Sequence, residues 1–325
     1  MDGWPATLLL LLAPLACAPA GGQEAPAAAA AATAATSFSA AEVAALGEQA
    51  ATAIEAAAGL KLQQPVPALL LTAAQARERR KAFAAALPAE SGSTAAVDLM
   101  ADFMFSESML GRYLPDEKAL YVISDVLERV AARGGRGDRQ AAEDVLFGVL
   151  AHELTHAYDD QTYHLIPQPS DIKELVLDPT GLVEIQARMS LLEGRATWIA
   201  ELACARVGRP PLETLSLDEA RSAEVLSGRA DEGGAQSVGR GLVNAIGRAK
   251  LVQYAYGREF ARRAWAFGGE KFFAEVVTHL PLTLAELEDF ELFRQRWARE
   301  KEAELEAAPA VAPAPADATA PQGGG

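Results

Sequence analysis

The chain has 325 residues, half of them hydrophobic, enough to bury a full core in one large domain or two small ones. Its formal charge of −15 argues against a nucleic-acid partner, because binding phosphate backbones needs a surplus of lysine and arginine. The two cysteines, Cys17 and Cys204, cannot build a disulfide framework, and no CxxC metal spacing occurs. Of four histidines (His152, His156, His164, His279), two fall within five residues of each other.

Read in chain order, Thr7 to Ala16 form an apolar run that is too short to span a bilayer and suits a signal-peptide core. Residues 1–20 are therefore expected to be a signal peptide, although the n-region carries Asp2 and no Lys or Arg. Two processing routes are readable. Ala18-Pro19-Ala20 is an A-x-A cleavage site, and Leu15-Ala16-Cys17 resembles the end of a bacterial lipobox. The first predicts secretion. The second predicts an envelope lipoprotein attached to the membrane through a lipidated Cys17. Residues 21–37 read as an Ala/Pro-rich tether, and 307–325 as a disordered Ala/Pro/Gly tail. Residues 38–306 are then the folded domain.

Helix signals dominate that domain, so the expected class is mainly α with a small β-sheet. Ser39 with Glu42 is a capping box that opens a helix to about Ala58. Thr72 can cap a helix through Ala86, and a further helix is expected over Thr94–Leu110. After the turn at Leu114-Pro115-Asp116-Glu117, Lys118–Ile123 reads as a strand able to bind an extended peptide or to sit in an ordinary sheet. Residues 138–160 form a long helix, and another runs from about Val183 to Val207, ended by Pro210 and Pro211. Ser216 with Glu219 is a second capping box, and residues 227–241 are a Gly-rich loop. A helix then runs to about Phe267, stopped by Gly268 and Gly269, and Thr283 with Glu286 opens the last one. Cys204 reads as a small core residue.

The informative segment is His152-Glu153-Leu154-Thr155-His156. On a helix, residues four apart sit one above the other, so the two imidazoles can converge on one ion while Glu153 projects beside them. This is the HExxH arrangement of two metal ligands and a general base on one turn. A catalytic zinc needs a third protein ligand. Asp159 and Thr162 stand where the metzincin pattern needs Gly and His, so that class is excluded. His279 sits just before Pro281 near a helix end. Glu193, in Leu191-Leu-Glu-Gly-Arg-Ala-Thr197, is the better third ligand, because its helix is apolar or small on the relevant side. Gly194 is costly in a helix interior. Close approach of this helix to the HExxH helix would explain it.

His152-Glu-Leu-Thr-His156 followed by Glu193-Gly-Arg-Ala-Thr197 resembles the gluzincin metallopeptidases. It is most similar to a group of bacterial exported proteins pairing HELTHAxxDQ with a downstream EGxAT, here His152 to Gln161 and Glu193 to Thr197. Gly111–Pro115 leading into Ala119–Val122 resembles the edge strand beside a zincin cleft, and Tyr254-Ala-Tyr-Gly257 with Phe260 resembles a Y-x-x-G-x-x-F helix of that group. The resemblance covers about residues 110–290, and only the two metal motifs in it are specific. It implies a zincin-like fold, one Zn2+ held by His152, His156 and Glu193, and a peptide or protein substrate. Glu153 would be the catalytic base, and Tyr254 or Tyr256 the donor to the oxyanion. Where thermolysin-like gluzincins carry an Asp that orients a zinc histidine, this chain has Thr197, and Asp160 is the expected substitute. Asp159, Asp160 and His164 otherwise read as the polar end of the active helix. The competing reading is a catalytically silent zincin-like lipoprotein that serves as a binding or scaffold module.

Overall fold

The computed structural model describes residues 38–86, 110–133, 139–166, 179–211, 251–280 and 283–307. The export segment with Cys17, the tether and the Gly-rich loop lie outside the described residues. So do the Ser216/Glu219 box, the tail beyond Ala307 and all but the last residue of the helix expected at Thr94–Leu110.

The chain is mainly helical with one small sheet. Helix α1 (Ala40–Ala58) opens on the expected capping box. The Ser39 amide donates to the Glu42 carboxylate at 2.8 Å, and the Glu42 amide donates back to Ser39 Oγ at 3.3 Å. After β1 (Ala68–Leu71), Thr72 caps α2 (Ala73–Ala86) by accepting from the Gln75 amide at 3.2 Å. Strands β2 (Gly111–Leu114) and β3 (Ala119–Ile123) lead into α3 (Ser124–Arg133). The two longest helices follow, α4 (Arg139–Tyr163) and α5 (Pro179–Arg206). A π-helical turn (Leu251–Tyr256) runs directly into α6 (Gly257–Thr278). Last come α7 (Leu284–Glu288), capped by Thr283 as expected, and α8 (Phe290–Ala307). Helix α6 is broken at Gly269, where the sequence places a stop; φ there is 61°, and a second helical stretch follows at once to Thr278.

The sheet order is β1-β3-β2, with β3 parallel to β1 and antiparallel to β2. All five residues of β3 are buried, the near-continuous apolar run of a central strand. Both of its edges are taken, so it cannot receive a peptide by strand addition. Among the described residues, the strand with an unpaired edge on the site's side is β2. The second partner of β3 is the short Ala68-Leu-Leu-Leu71, which carries no alternation to mark it as a strand.

Helix α5 threads two apolar clusters. Its C-terminal half gives Ile199, Ala200, Ala203 and Cys204 to a core shared with α1, the sheet and Leu146, Leu150 and Leu154 of α4. Cys204 is thus the small core residue the sequence implied. Leu191 and Leu192 join a second cluster with Phe260, Phe273 and Val276 of α6 and Phe293 of α8. Glu193 sits where the helix passes from one cluster to the other.

Gly194 does mark a close helix approach, but to α6 and not to the HExxH helix. A Cβ on Gly194 would fall 1.9 Å from the carbonyl carbon of Gly257, and one on Gly257 would fall 2.0 Å from the Ser190 oxygen. The two backbones touch at this crossing and leave no room for a side chain on either. Gly194→Ala and Gly257→Ala should each lower stability by about 1–3 kcal/mol or more. The measurement is a fall in the urea midpoint at constant slope; an unchanged midpoint would show that the helices are not in contact.

Candidate metal centre

His152, Glu153 and His156 share one turn of α4, and Glu193 faces them from α5. The two imidazoles meet edge to face, with centroids 4.7 Å apart. His152 Nε2 lies 3.1 Å from His156 Nε2 and 3.2 Å from Glu193 Oε2, and His156 Nε2 lies 3.7 Å from the same oxygen. Four ligands at tetrahedral angles on bonds of about 2.0–2.1 Å are separated by roughly 3.3 Å. The three atoms therefore already form one face of such a tetrahedron, and among the described residues no fourth His, Cys, Asp or Glu joins the group. Among the described residues these three form the group able to hold a metal ion. All three side chains are largely withdrawn from solvent.

Burial alone would push the Glu193 carboxyl up, but the charges and hydrogen bonds of His156 and His152 outweigh it and hold the group well below the usual carboxylate range. Burial pushes the His152 imidazole down, whereas the hydrogen bond and charge of Glu193, backed by Glu153, carry the net balance up. A nitrogen-rich pocket with a firmly ionised carboxylate suits a divalent cation.

Glu153 is fixed from the side of the sheet. The Tyr113 amide of β2 donates to Glu153 Oε2 at 2.7 Å. Gly111 permits this approach: a Cβ there would stand 2.5 Å from Val149 Cγ1 and 3.6 Å from Glu153 Cγ. Tyr254, carried by the π-helical turn, lies over His152 with ring centroids 6.4 Å apart. Burial, then the charge and hydrogen bond of Glu193, push its phenol well above the ordinary value, so it remains a proton donor at neutral pH. Tyr256 instead packs against the second apolar cluster. His279 caps the end of α6 beside Glu304 and takes no part in the group.

Around these residues the sequence reading needs correction. Asp160 does not orient a histidine; it accepts from the Tyr113 hydroxyl at 2.9 Å. Thr197 donates to the Glu193 carbonyl at 2.8 Å, and no described residue hydrogen-bonds to the buried Nδ1 of His152. Asp159 is not a solvated helix end. It is fully buried and paired with Arg195, itself 1% exposed. Arg195 also reaches Glu270 of α6 at 2.7 Å and stacks 3.9 Å above the Phe273 ring. Glu270 in turn accepts from the hydroxyls of Tyr158 and Tyr163. A readable signal for Arg195 existed: it lies on the Leu191–Ile199 stripe at helical spacing, where a cation requires a buried partner. Gln161 has a structural task. Its side-chain oxygen accepts from the amides of Gln63 and Gln64, and its amide donates to the Gln64 carbonyl, tying the loop before β1 to α4.

Arg112 of β2 was not foreseen at all. It is half-buried, and burial lowers its guanidinium while the charges of Glu153, Glu193 and Tyr254 raise it. Nothing in Gly111-Arg-Tyr-Leu114 announces that role.

No family model matches the sequence, and no curated protein does. The fold is shared with a protein from Chloroflexus aurantiacus whose crystal structure is described as that of a "putative hydrolase with a novel fold". The likeness has a TM-score of 0.55 at 20% identity, over 79% of this chain and 89% of that one. At such identity it establishes the fold alone.

Two outcomes follow from this geometry. Arg195→Met leaves Asp159 buried without its cation and should cost about 3–5 kcal/mol in unfolding free energy, as uncompensated buried charges do; a loss under 1 kcal/mol would show that the pair is not formed. Metal binding must displace the proton that Glu193 helps His152 retain, so affinity should rise with pH and fall about tenfold for each unit below the His152 pKa. Chelator competition across pH 5–8 measures this, and a flat profile would remove His152 from the ligand set.

Proposed function

We propose that this chain is a zinc-dependent hydrolase of gluzincin type that cuts peptide bonds in peptides or proteins. The observation that carries the reading is the convergence of His152 Nε2, His156 Nε2 and Glu193 Oε2 with Glu153 held beside them by a sheet strand. Two nitrogens and a carboxylate oxygen at near-tetrahedral spacing suit zinc. The description of the Chloroflexus aurantiacus neighbour as a hydrolase points the same way. When bound, the ion would polarise the scissile carbonyl and acidify water in the open position.

The chain's own residues supply the rest. Glu153 takes a proton from the attacking water as its oxygen bonds to the carbonyl carbon, and passes that proton to the leaving nitrogen as the C–N bond breaks. The Tyr113 amide keeps the Glu153 carboxylate aimed while it gains and loses the proton. Tyr254 offers its hydroxyl to the carbonyl oxygen as negative charge gathers there. Substrate backbone would lie along β2. The Ile123 amide bonds to the Leu110 carbonyl, so residues 110, 112 and 114 face β3 and 111 and 113 turn away from it; the Tyr113 amide is taken by Glu153, which leaves the backbone groups of Gly111 and the Tyr113 carbonyl for a substrate strand.

Purified protein should carry about one zinc per chain and cleave unfolded protein in a chelator-sensitive manner. Glu153→Gln should keep the zinc and lose about 10²–10⁴ in kcat, whereas Glu193→Ala should lose stoichiometric zinc. Normal cleavage by the first variant would overturn the mechanism, and full zinc in the second would overturn the ligand assignment.

A further inference from the structure

Tyr113 of β2 is held to α4 at two points. Its amide donates to Glu153 Oε2 at 2.7 Å, and its hydroxyl donates to Asp160 Oδ2 at 2.9 Å. The two acceptors stand seven residues apart on one helix. Seven residues advance about 10.5 Å along the axis and return to within about 20° of the same face. One strand residue therefore lies lengthwise along two turns of α4, with its backbone on the candidate base and its side-chain tip on Asp160.

The contact at the tip is the one able to set the strand's place along the helix. Gly111 lets β2 come close to Val149 of α4, but apolar contact is non-directional and tolerates sliding along the axis. A hydrogen bond is directional and weakens steeply with misalignment. This one sits at the end of a rigid, buried ring, whose length carries any tilt of the backbone out to Asp160. Burial, then the hydrogen bond and charge of Asp160, push the Tyr113 phenol up, so it stays a donor to the carboxylate. Gln161, the next residue, holds the amides of Gln63 and Gln64 before β1. The same turn of α4 thus grips the sheet at both of its outer strands.

We propose that Asp160, acting through the Tyr113 side chain, is a positioning residue for Glu153: it fixes where β2 lies along α4 and so keeps the Tyr113 amide on the base. The proposal rests on reading Glu153 as the base of a zinc peptidase. It gives the second of two adjacent aspartates a task at the site, while the first, Asp159, is paired with Arg195.

The test uses the zinc-loaded full chain with casein as an unfolded substrate. Tyr113→Phe removes the hydroxyl alone, and Asp160→Ala removes its acceptor. Each should lower kcat about 10–100-fold, the scale of a misplaced catalytic group, with KM and zinc affinity unchanged. Asp160→Asn, which keeps an acceptor oxygen, should recover part of the loss. The double variant Tyr113→Phe/Asp160→Ala should be no worse than the worse single one, because both remove the same bond. Unchanged kcat in Tyr113→Phe overturns the proposal. So does a loss that falls on KM or on zinc affinity, or one that is additive in the double variant. Hydrogen exchange at single amides reads the same contact without catalysis. In Asp160→Ala the Tyr113 amide should exchange roughly tenfold faster, while the Ile123 amide, bonded in the β2–β3 ladder, keeps its rate. Equal exchange at Tyr113 overturns the proposal, and faster exchange at both amides does so too, since it marks a general loosening of the sheet. Absence of zinc or of cleavage in wild type falls on the peptidase reading, and the exchange result then still decides whether Asp160 holds the amide in place.

Discussion

The site depends on the register between two helices. Glu193 reaches the His152–His156 turn only if α4 and α5 are locked along their length and about their axes. The lock is the Asp159–Arg195 pair. Asp159 stands three residues beyond the second histidine, and Arg195 two residues beyond the glutamate, so each partner is rigidly tied to a ligand. Because both are buried, the pair cannot slide or exchange for water without leaving a bare charge in the interior. On the other side of α5, the Gly194–Gly257 contact sets how near α6 lies and therefore where Tyr254 hangs. The Glu-Gly-Arg sequence is thus three consecutive instructions: a candidate ligand, a close approach and a lock.

The sheet contributes at a different scale. It is small, and its central strand belongs wholly to the core. Its edge strand β2 brings three things to α4 through three consecutive residues: a glycine that allows contact, an arginine that carries charge and a tyrosine whose amide aims Glu153. The site is therefore a junction of four elements. Two helices hold the candidate ligands, one strand fixes Glu153, and one π-helical turn carries Tyr254.

Much of this was legible in the sequence, for reasons that can be stated. Helical caps are written locally: Ser39 with Glu42, Thr72 with Gln75 and Thr283 with Glu286 each fix a helix start without reference to the rest of the fold. The i,i+4 histidines likewise need only one helix to be read. Glu193 needed two helices and an argument from composition, and the structure brings it within ligand distance. What escaped was tertiary. The central place of β3 depends on β1, a strand of four residues with no alternation. The neighbour of Gly194 proved to be Gly257, because a glycine announces a close approach without naming the partner. Asp159 reads as polar and exposed until Arg195 is seen opposite it. Asp160 was assigned to a histidine by analogy with a second ligand shell, and Tyr113 takes it instead. Arg112 carries no local signature, since its meaning comes entirely from the three groups across the fold.

The π-helical turn at Leu251–Tyr256 has a consequence for how this site can change over time. A π turn accommodates one residue more than an α turn, so Tyr254 owes its direction to the winding of the main chain. Relaxing that winding to α would swing Tyr254 by about one residue's rotation, roughly 100°, away from His152. Point substitutions can alter the phenol but cannot re-aim it, whereas insertion or loss of a single residue in this turn can. The aim of Tyr254 is therefore set by the length of the segment that bears it as much as by the side chain itself.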